Sequence, residues 1–324
     1  MLYLLACTAV EAPEPPLPSP AEEPGAPVEP ADPPVPTVPP VDTGSAASTT
    51  IACDDLPSTG TFVANLDYIP TFEDFTFSAD GYLWGVSLYE GALTRVPYGG
   101  PSELLRPGVS GYARGTRFLP DGDLVSVDYP NNSLLRIDVT TYTSTVLTGG
   151  LTSPNAVAID ESGDIFLTQV TGRILRIDPA TGLSTPLALS AVSNDGLSFS
   201  PDYRTLYLNS DAGGDYQSLG LDAAGEVTSP LAPFAELPGP ADGMVVDACG
   251  NAYVTQFEPP SIVRVRPDGI VEPFILLPDD VLAVAVNFGT GVGGWEAEHL
   301  FISDWNGEFL EYDAGVTGKW EPHL

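Results

Sequence analysis

The chain has 324 residues, of which 44 are acidic and 11 are Lys or Arg, so its formal net charge is −33 at pH 7. Nucleic acid is excluded as a partner, because a surface that binds phosphates needs Lys and Arg to displace their counterions. Such a charge favours solubility, and it leaves open whether some of the acids surround a specific cation.

The first seven residues, MLYLLAC, end in a short apolar run before Cys7. Small and aliphatic residues before a cysteine are typical of a bacterial lipobox, so residues 1–7 predict a truncated lipoprotein signal with a lipid attached at Cys7. Only six residues precede that cysteine, and none of them is basic. We therefore expect the true start of the protein upstream of Met1; the alternative is that the segment is not a signal.

Residues 8–50 are rich in Pro, Ala, Glu and Asp, and no aromatic residue occurs between positions 8 and 48. This composition cannot build a core, and it predicts a disordered, extended tether. No later stretch reaches the ~20 consecutive apolar residues of a membrane-spanning helix. The expected location is the bacterial cell envelope, periplasmic or surface-exposed, with the lipid as the only attachment to a membrane.

From residue 51 onwards the sequence repeats a unit of about forty-one residues. Each unit begins with a short apolar run that ends in a turn, at 74–81, 115–122, 156–163, 196–203, 243–250 and 284–291. A second run follows each of these, at 82–87, 123–128, 164–169, 205–210, 251–256 and 299–304. A third run comes next, at 92–97, 133–138, 173–178, 217–222, 261–266 and 308–313. Most units add a fourth, such as 144–149 and 271–276.

Four short strands per unit, repeated six times between Gly and Pro turns, predict an all-β fold, a six-bladed β-propeller over residues 51–324. The ring has to close, because an open array of sheets would leave an unpaired edge. The last unit has little chain left for a fourth strand, and TFVANLDYI at 61–69 is expected to supply it. The propeller is expected to be a monomer.

Cys53 and Cys249 remain as a pair once Cys7 is set aside. Disulfides persist in exported proteins, so we expect these two cysteines to be bonded. In the predicted propeller the bond would tie the adjacent blades five and six. The alternative is two free, buried thiols.

One position recurs at the start of the first strand of each unit, four residues before the central apolar residue. It is occupied in turn by Glu73, Arg114, Asn155, Asp195, Asp242 and Val284. The first strand of a propeller blade lines the central channel, so these side chains are expected to converge at one mouth. Carboxylate and amide oxygens favour a hard divalent cation, and calcium suits a flexible all-oxygen site better than magnesium or zinc. The alternative is that these residues only cap turns or stay hydrated.

Two stretches, NDGLSFSPDYRTLYLNSD at 194–211 and ADGMVVDACGNAYVTQ at 241–256, carry a family resemblance. They resemble the signature sequences of the senescence marker protein/gluconolactonase family of regucalcin-like propellers. The resemblance covers about residues 60–320, and it implies one divalent ion in the channel and hydrolysis of sugar lactones or related esters. It further implies that Glu73, Asp195 and Asp242 are metal ligands. Asn155 would contact the substrate, and Asp242 would activate water.

The chain departs from the family pattern at several positions. The family has Asn directly before Gly in unit four, whereas here Asn194 precedes Asp195, so either side chain is a candidate metal ligand. The substrate-binding Arg of unit three is replaced by Ser153. Arg114 then either takes over a substrate contact or neutralises the extra carboxylate and weakens ion binding.

The resemblance therefore predicts a metal-dependent hydrolase that acts on a lactone or related ester. The cation would polarise the carbonyl, Asp242 would take a proton from water, and Arg114 or Asn155 would hold the substrate oxygens. A Ser-His-Asp triad is not expected, because the two histidines of the sequence, His299 and His323, lie at a strand start and at the C-terminus.

The alternative function is a non-catalytic propeller that serves as a scaffold for a ligand or a protein. Its binding surface would use aromatic side chains such as Trp84, Tyr89, Trp295 and Trp305, although packing in the core or at the rim explains each of them more simply. Fold alone does not separate the two functions, because propellers serve both.

Overall fold

The computed structural model describes residues 53–324, so the predicted signal at 1–7, the lipid site at Cys7 and the tether at 8–50 lie outside the described residues. Within 53–324 there are twenty-four strands, and no helix is long and apolar enough to cross a membrane. The strands form six antiparallel sheets of four strands each. The predicted six-bladed propeller is thereby confirmed.

The strands are numbered in chain order. Their bounds are β1 (Thr61–Asn65), β2 (Phe72–Phe77), β3 (Tyr82–Ser87), β4 (Leu93–Pro97), β5 (Glu103–Arg106), β6 (Ala113–Phe118), β7 (Leu124–Asp128), β8 (Ser133–Asp138), β9 (Thr143–Thr148), β10 (Pro154–Ile159), β11 (Ile165–Gln169), β12 (Arg173–Ile177), β13 (Ser184–Leu189), β14 (Leu197–Phe199), β15 (Thr205–Asn209), β16 (Asp215–Leu221), β17 (Val227–Glu236), β18 (Ala241–Val246), β19 (Ala252–Phe257), β20 (Pro260–Val265), β21 (Val271–Leu276), β22 (Ala283–Phe288), β23 (His299–Asp304) and β24 (Phe309–Asp313). From β2 onwards, each successive set of four forms one blade, and β22 to β24 belong to blade six.

The ring is closed by the first strand of the described chain. β1 pairs with β24 and completes the sheet of blade six, with Thr61 opposite Asp313 and Asn65 opposite Leu310. The prediction that residues 61–69 supply this strand is confirmed. The first strand of each blade (β2, β6, β10, β14, β18 and β22) contacts the first strands of both neighbouring blades. These six strands therefore surround the central channel.

Six clusters of buried apolar side chains fill the spaces between neighbouring blades. Successive side chains of a strand point to opposite faces of its sheet, so one strand serves two clusters. On β11, Phe166 packs towards blade four and Leu167 packs towards blade two. Between blades six and one, the rings of Phe75 and Phe309 lie 4.9 Å apart. Each blade therefore depends on both neighbours for its core.

The predicted disulfide between Cys53 and Cys249 is present, with 5.6 Å between the two Cα atoms. Cys249 lies in the turn between β18 and β19 of blade five, and Cys53 precedes β1 of blade six. The same region is held by Arg264, whose Nη1 donates to the carbonyl oxygen of Pro57 at 2.7 Å. The bond therefore fixes the entry of the chain into the propeller against its neighbouring blade.

The last residues of the chain cross the channel at the end where the first strands finish. The backbone N–H of Lys319 donates to the carbonyl oxygen of Val246, the last residue of β18, at 3.0 Å. Its buried ammonium lies 2.6 Å from Glu321 Oε1. The ring Nε2 of His323 lies 2.9 Å from the carbonyl oxygen of Phe77, the last residue of β2. This C-terminal segment therefore covers the far end of the channel.

Glycine follows the recurring position at the start of the first strand in blades two, four and five. A Cβ atom added at Gly196 would lie 2.3 Å from the carbonyl oxygen of Asp242, and one at Gly243 would lie 2.5 Å from that of Val284. A Cβ atom added at Gly115 would lie equally close to the backbone of blade three. These atoms belong to the backbone of the first strand of the next blade. Unlike the end of a flexible side chain, they cannot move aside to make room for a methyl group. Glycine is therefore required for neighbouring first strands to approach each other.

We expect Gly196→Ala and Gly243→Ala each to lower the free energy of unfolding by about 1–3 kcal/mol, because the new methyl group overlaps backbone. Urea denaturation of the purified propeller measures this. Gly213→Ala is the matched control, since its nearest atom would be a side-chain oxygen of Asp215 at 3.6 Å. Equal stability of the Gly196 variant and this control would contradict the close approach of the blades.

Candidate functional site

The starts of the first strands bring four predicted side chains together on the channel axis. Glu73, Asn155 and Asp242 are the second residues of β2, β10 and β18, and Asp195 lies two residues before β14. All four are buried and line one cavity of about 20 Å³. A cavity of this size holds a single water molecule or ion. These four residues, together with the adjacent Arg114, are called the hub.

Two carboxyl groups of the hub share a hydrogen bond. Asn155 Nδ2 donates to Asp195 Oδ1 at 2.6 Å, and the side chain of Asp195 is also hydrogen-bonded to that of Asp242. Burial raises the pKa of Asp195 to about 7, although the charge of Arg114 opposes the shift. Burial, reinforced by Asp195 and Glu73, raises the pKa of Asp242 well above its usual range. The shared bond raises the pKa of Asp242 and lowers that of Asp195, and burial favours the uncharged form of both carboxyl groups.

Arg114 is the counter-charge at the hub. Its Nε lies 3.6 Å from Glu73 Oε1 and is buried without a hydrogen-bond partner. Burial raises the pKa of Glu73 well above its usual range, and Arg114 opposes that shift. The guanidinium lies over the ring of Tyr129, 4.1 Å from its centre, and 5.4 Å from the centre of the Tyr112 ring. The two aromatic rings therefore fix the position of the guanidinium beside the acids.

Tyr112 and Tyr129 belong to the site, and the sequence reasoning missed both. Burial raises the pKa of the Tyr112 hydroxyl, and the charges of Glu73 and Asp242 reinforce the shift. Tyr112 directly precedes β6 and Tyr129 directly follows β7, so both lie at the mouth that carries the hub. The position beside each strand end is the signal that could have identified them, because antiparallel neighbours begin and end at the same edge.

Asn209 and Thr168 position the acidic residues and were also missed. Asn209 Oδ1 accepts from the N–H of Gly196 at 2.8 Å, while its Nδ2 donates to the carbonyl oxygen of Asp242 at 2.7 Å. Thr168 Oγ1 donates to the carbonyl oxygen of Asp195 at 2.7 Å. Both residues lie near the ends of second strands. They hold the backbones of neighbouring blades in register at the hub.

Asn194, the other candidate ligand of blade four, is placed differently. Its Nδ2 donates to the carbonyl oxygen of Gly172 at 3.0 Å, and it is not among the residues that line the hub cavity. Its Oδ1 is buried and has no hydrogen-bond partner. That oxygen retains the capacity to accept from water or to bind a cation.

The hub has the chemistry of a site for a hard cation. Its ligand atoms are all oxygens, and three buried acids, Glu73, Asp195 and Asp242, face one guanidinium. Within residues 53–324, no group of three or more His, Cys, Asp or Glu side chains is arranged so that it could hold a metal ion without moving. Cation binding would therefore require these side chains to rearrange, and it would compete with protonation of carboxyl groups whose pKa values are raised. Calcium tolerates such flexible oxygen coordination.

Two of the aromatic residues predicted to form a binding surface are buried. Trp295 is completely covered, and its Nε1 donates to the carbonyl oxygen of Gly81 at 3.1 Å. Trp84 is buried against blade two, with its ring 5.8 Å from that of Phe118. The prediction of core packing is confirmed for both, because their rings fill spaces between blades, and the alternative surface role does not apply to them. Tyr89 is 72% exposed and Trp305 is half-buried.

The two histidines take no part in the hub. His299 begins β23, and its Nδ1 lies 2.7 Å from Glu311 Oε1. His323 belongs to the C-terminal segment at the opposite end of the channel. Neither histidine lies beside the hub acids, in agreement with the expectation that the chain has no Ser-His-Asp triad.

The family model described as SMP-30/Gluconolactonase/LRE-like region matches residues 166–304. Over residues 166–304 this match confirms the family resemblance predicted from the sequence. Asp195 and Asp242 lie within the matched residues, whereas Glu73 and Arg114 precede them. No curated protein matches the chain.

Solved structures with the same fold include calcium-binding and enzymatic propellers. The calcium-binding protein regucalcin from Agrobacterium tumefaciens aligns with a TM-score of 0.68 at 19% identity, over 82% of this chain and 99% of that chain. A gluconolactonase from Xanthomonas campestris aligns with a TM-score of 0.65 at 18% identity, over 79% and 95%. Virginiamycin B lyase from Staphylococcus aureus aligns with a TM-score of 0.58 at 16% identity, over 74% and 79%. At these identities the likeness shows the fold alone.

The raised pKa values of the hub predict that stability falls as pH rises. A carboxyl group whose pKa is raised on folding stabilises the protein fully below its unfolded pKa of about 3.9, and that contribution is lost as pH rises through the folded value. For Asp195 the folded value is about 7. With chelator present, the melting temperature should therefore be at least about 2 °C lower at pH 8 than at pH 5.

The control for this pH dependence separates the hub from the general charge of the protein. Asp195→Asn should flatten the dependence, whereas Asp215→Asn, at an exposed position, should leave it as in the wild type. Differential scanning calorimetry across the pH series measures both. An unchanged slope in the Asp195 variant would mean that this carboxyl group is already ionised when folded.

Proposed function

We propose that the propeller is a divalent-cation-dependent hydrolase of a lactone or related ester. The observation that carries this proposal is the convergence of Glu73, Asn155, Asp195 and Asp242, from four different blades, on one buried cavity of about 20 Å³. Buried carboxyl groups with raised pKa values are typical of functional sites. The match to the SMP-30/Gluconolactonase/LRE-like region supports the same reaction class.

In this proposal Glu73, Asp195 and Asp242 hold the cation, with the unpaired Oδ1 of Asn194 as a further candidate ligand. Calcium is the preferred ion because all of these donors are oxygens. When bound, it supplies Lewis-acid polarisation of the substrate carbonyl. Asp242 would be ionised beside a bound cation, because a nearby positive charge lowers the pKa of a carboxyl group, and its carboxylate could then accept a proton.

The hydrolytic step then uses residues of this chain. Asp242 accepts a proton from water as the water oxygen bonds to the carbonyl carbon. The bond between that carbon and the ester oxygen breaks, and the proton returns to the leaving oxygen. Asn155 and Arg114 donate hydrogen bonds to substrate oxygens and stabilise negative charge that develops there. The orphaned Nε of Arg114 is a donor free for this purpose.

A non-catalytic scaffold is the second candidate. It is favoured by the raised pKa of Asp242, because a carboxyl group that keeps its proton cannot serve as a base. The regucalcin of similar fold is described as a calcium-binding protein, and a cation site without turnover would fit that description. The two candidates share the cation and differ in turnover.

We expect Asp242→Asn to lower kcat by about 100-fold or more, because a general base contributes at least that factor. A chelator should abolish activity and added calcium should restore it. Hydrolysis of a panel of lactones and esters, followed by proton release, measures both effects, and circular dichroism verifies the fold. Asp215→Asn is the control.

Activity that survives both the chelator and Asp242→Asn would contradict the proposed mechanism. Calcium binding without turnover on any member of the panel would support the scaffold instead.

The proposal also places the propeller in the cell envelope, attached by a lipid on Cys7 and separated from the membrane by residues 8–50. The LLAC run and the Pro-rich composition support it. In a bacterial host that expresses the full precursor, Cys7→Ser should move the protein from the membrane fraction to the soluble envelope fraction. Unchanged partitioning, measured by fractionation and immunoblotting, would rule out the lipid anchor.

A further inference from the structure

The hub cavity is too small for any substrate. Its volume of about 20 Å³ accommodates one water molecule or ion. The opposite end of the channel is covered by the C-terminal segment, through the contacts of Lys319 and His323. An organic substrate therefore has to lie outside the cavity, at the mouth that carries the hub. The side chains around that mouth decide which substrates are accepted.

Three half-buried aromatic side chains lie side by side at this mouth. The ring centre of Tyr112 is 5.9 Å from that of Tyr129 and 6.1 Å from that of Trp305. Trp305 directly follows β23 of blade six, and the hydroxyl of exposed Tyr89 donates to its carbonyl oxygen at 3.0 Å. Tyr112, Tyr129 and Trp305 are called the aromatic platform. The fully covered rings of Trp295 and Phe301 fill the core, whereas the platform rings are partly open to solvent.

The polar side chains next to the platform are already engaged within the protein. Asp128 accepts from Ser110 Oγ and from Asn131 Nδ2, both at 2.8 Å. Asn132 Oδ1 accepts from the N–H of Ser153 at 3.0 Å. The platform itself offers flat aromatic faces, the hydroxyl groups of Tyr112 and Tyr129 and the planar guanidinium of Arg114. Because its largest surfaces are ring faces, a flat aryl group fits it best.

We propose that the aromatic platform binds an aryl ring of the substrate, so that the preferred substrate is an aryl-bearing lactone or ester. An aryl ring gains from offset or edge-to-face contact with aromatic side chains. Arg114 lies between the platform and Glu73, so the ester group of a substrate stacked there would point towards the hub. Hydrolysis of an aryl-bearing substrate rests on the proposed function, whereas binding of its aryl ring to the aromatic platform does not.

Binding is tested with two lactams that resist hydrolysis and differ only in the fused benzene ring, 3,4-dihydroquinolin-2-one and piperidin-2-one. Calorimetry with calcium present should show the aryl lactam binding about tenfold more tightly. Trp305→Leu and Tyr129→Leu should each reduce that ratio at least about threefold. Trp320→Leu is the matched control, since Trp320 is 57% exposed in the C-terminal segment. Thermal denaturation verifies that each variant is folded.

Equal affinities for the two lactams, or a ratio unchanged in both platform variants, would overturn the proposal. Tighter binding of a sugar lactam than of the aryl lactam would also overturn it, in favour of a polyhydroxylated substrate.

A kinetic comparison separates failure of the platform from failure of the hydrolase. Dihydrocoumarin and δ-valerolactone differ by the same benzene ring, and the ratio of their kcat/KM values is compared between wild type and variants, so that intrinsic reactivity cancels. A smaller ratio in Trp305→Leu supports the platform. If the lactones are hydrolysed but the ratio is unchanged in the variant, the hydrolase proposal stands and the aryl-binding role of the platform is rejected. If the aryl lactam binds more tightly but no lactone is hydrolysed, the aryl-binding role stands and the hydrolase proposal is rejected.

Discussion

The close contact between neighbouring first strands is the constraint on which both the fold and the hub depend. Where glycine follows the recurring position, the backbone of the next blade occupies the space that a side chain would need. Asn209 then joins the two backbones by accepting from Gly196 and donating to Asp242. The same short Asp-Gly step therefore packs the blades and brings their carboxyl groups to one point. A substitution that spreads the blades would separate the acids as well.

This convergence concentrates negative charge in a place with little water. Two features of the structure offset the cost: Arg114 lies beside Glu73, and the raised pKa values of Asp195 and Asp242 favour their uncharged forms. In the proposed cation site, a divalent ion would compete with protons and with the guanidinium of Arg114 for the same oxygens. Arg114 would therefore weaken the binding of an ion.

The fold was predictable because a propeller repeats one simple pattern of strands and turns, and the same period located Glu73, Asn155, Asp195 and Asp242. Cysteine pairing followed from the small number of candidates. Tyr112 and Tyr129 were missed because their role is a side-chain contact with Arg114 inside blade two, which the repeat of the first strands does not encode. Asn209 was missed because its role depends on which blade is its neighbour. The burial of Trp84 and Trp295 depends likewise on contacts between blades. The raised pKa values of the hub acids depend on their burial and on the distances between their carboxyl groups, which only coordinates supply.

The pairing of β1 with β24 has a consequence for how the protein is made. The strand that closes blade six is the first of the described chain to be synthesised, and its partner is among the last. Until the final residues emerge, β1 has no sheet to join, and its exposed edge is open to pairing with other chains. Contacts of such long sequence separation form slowly. A truncation that removes β24 would therefore leave β1 without a partner strand and expose an unpaired edge.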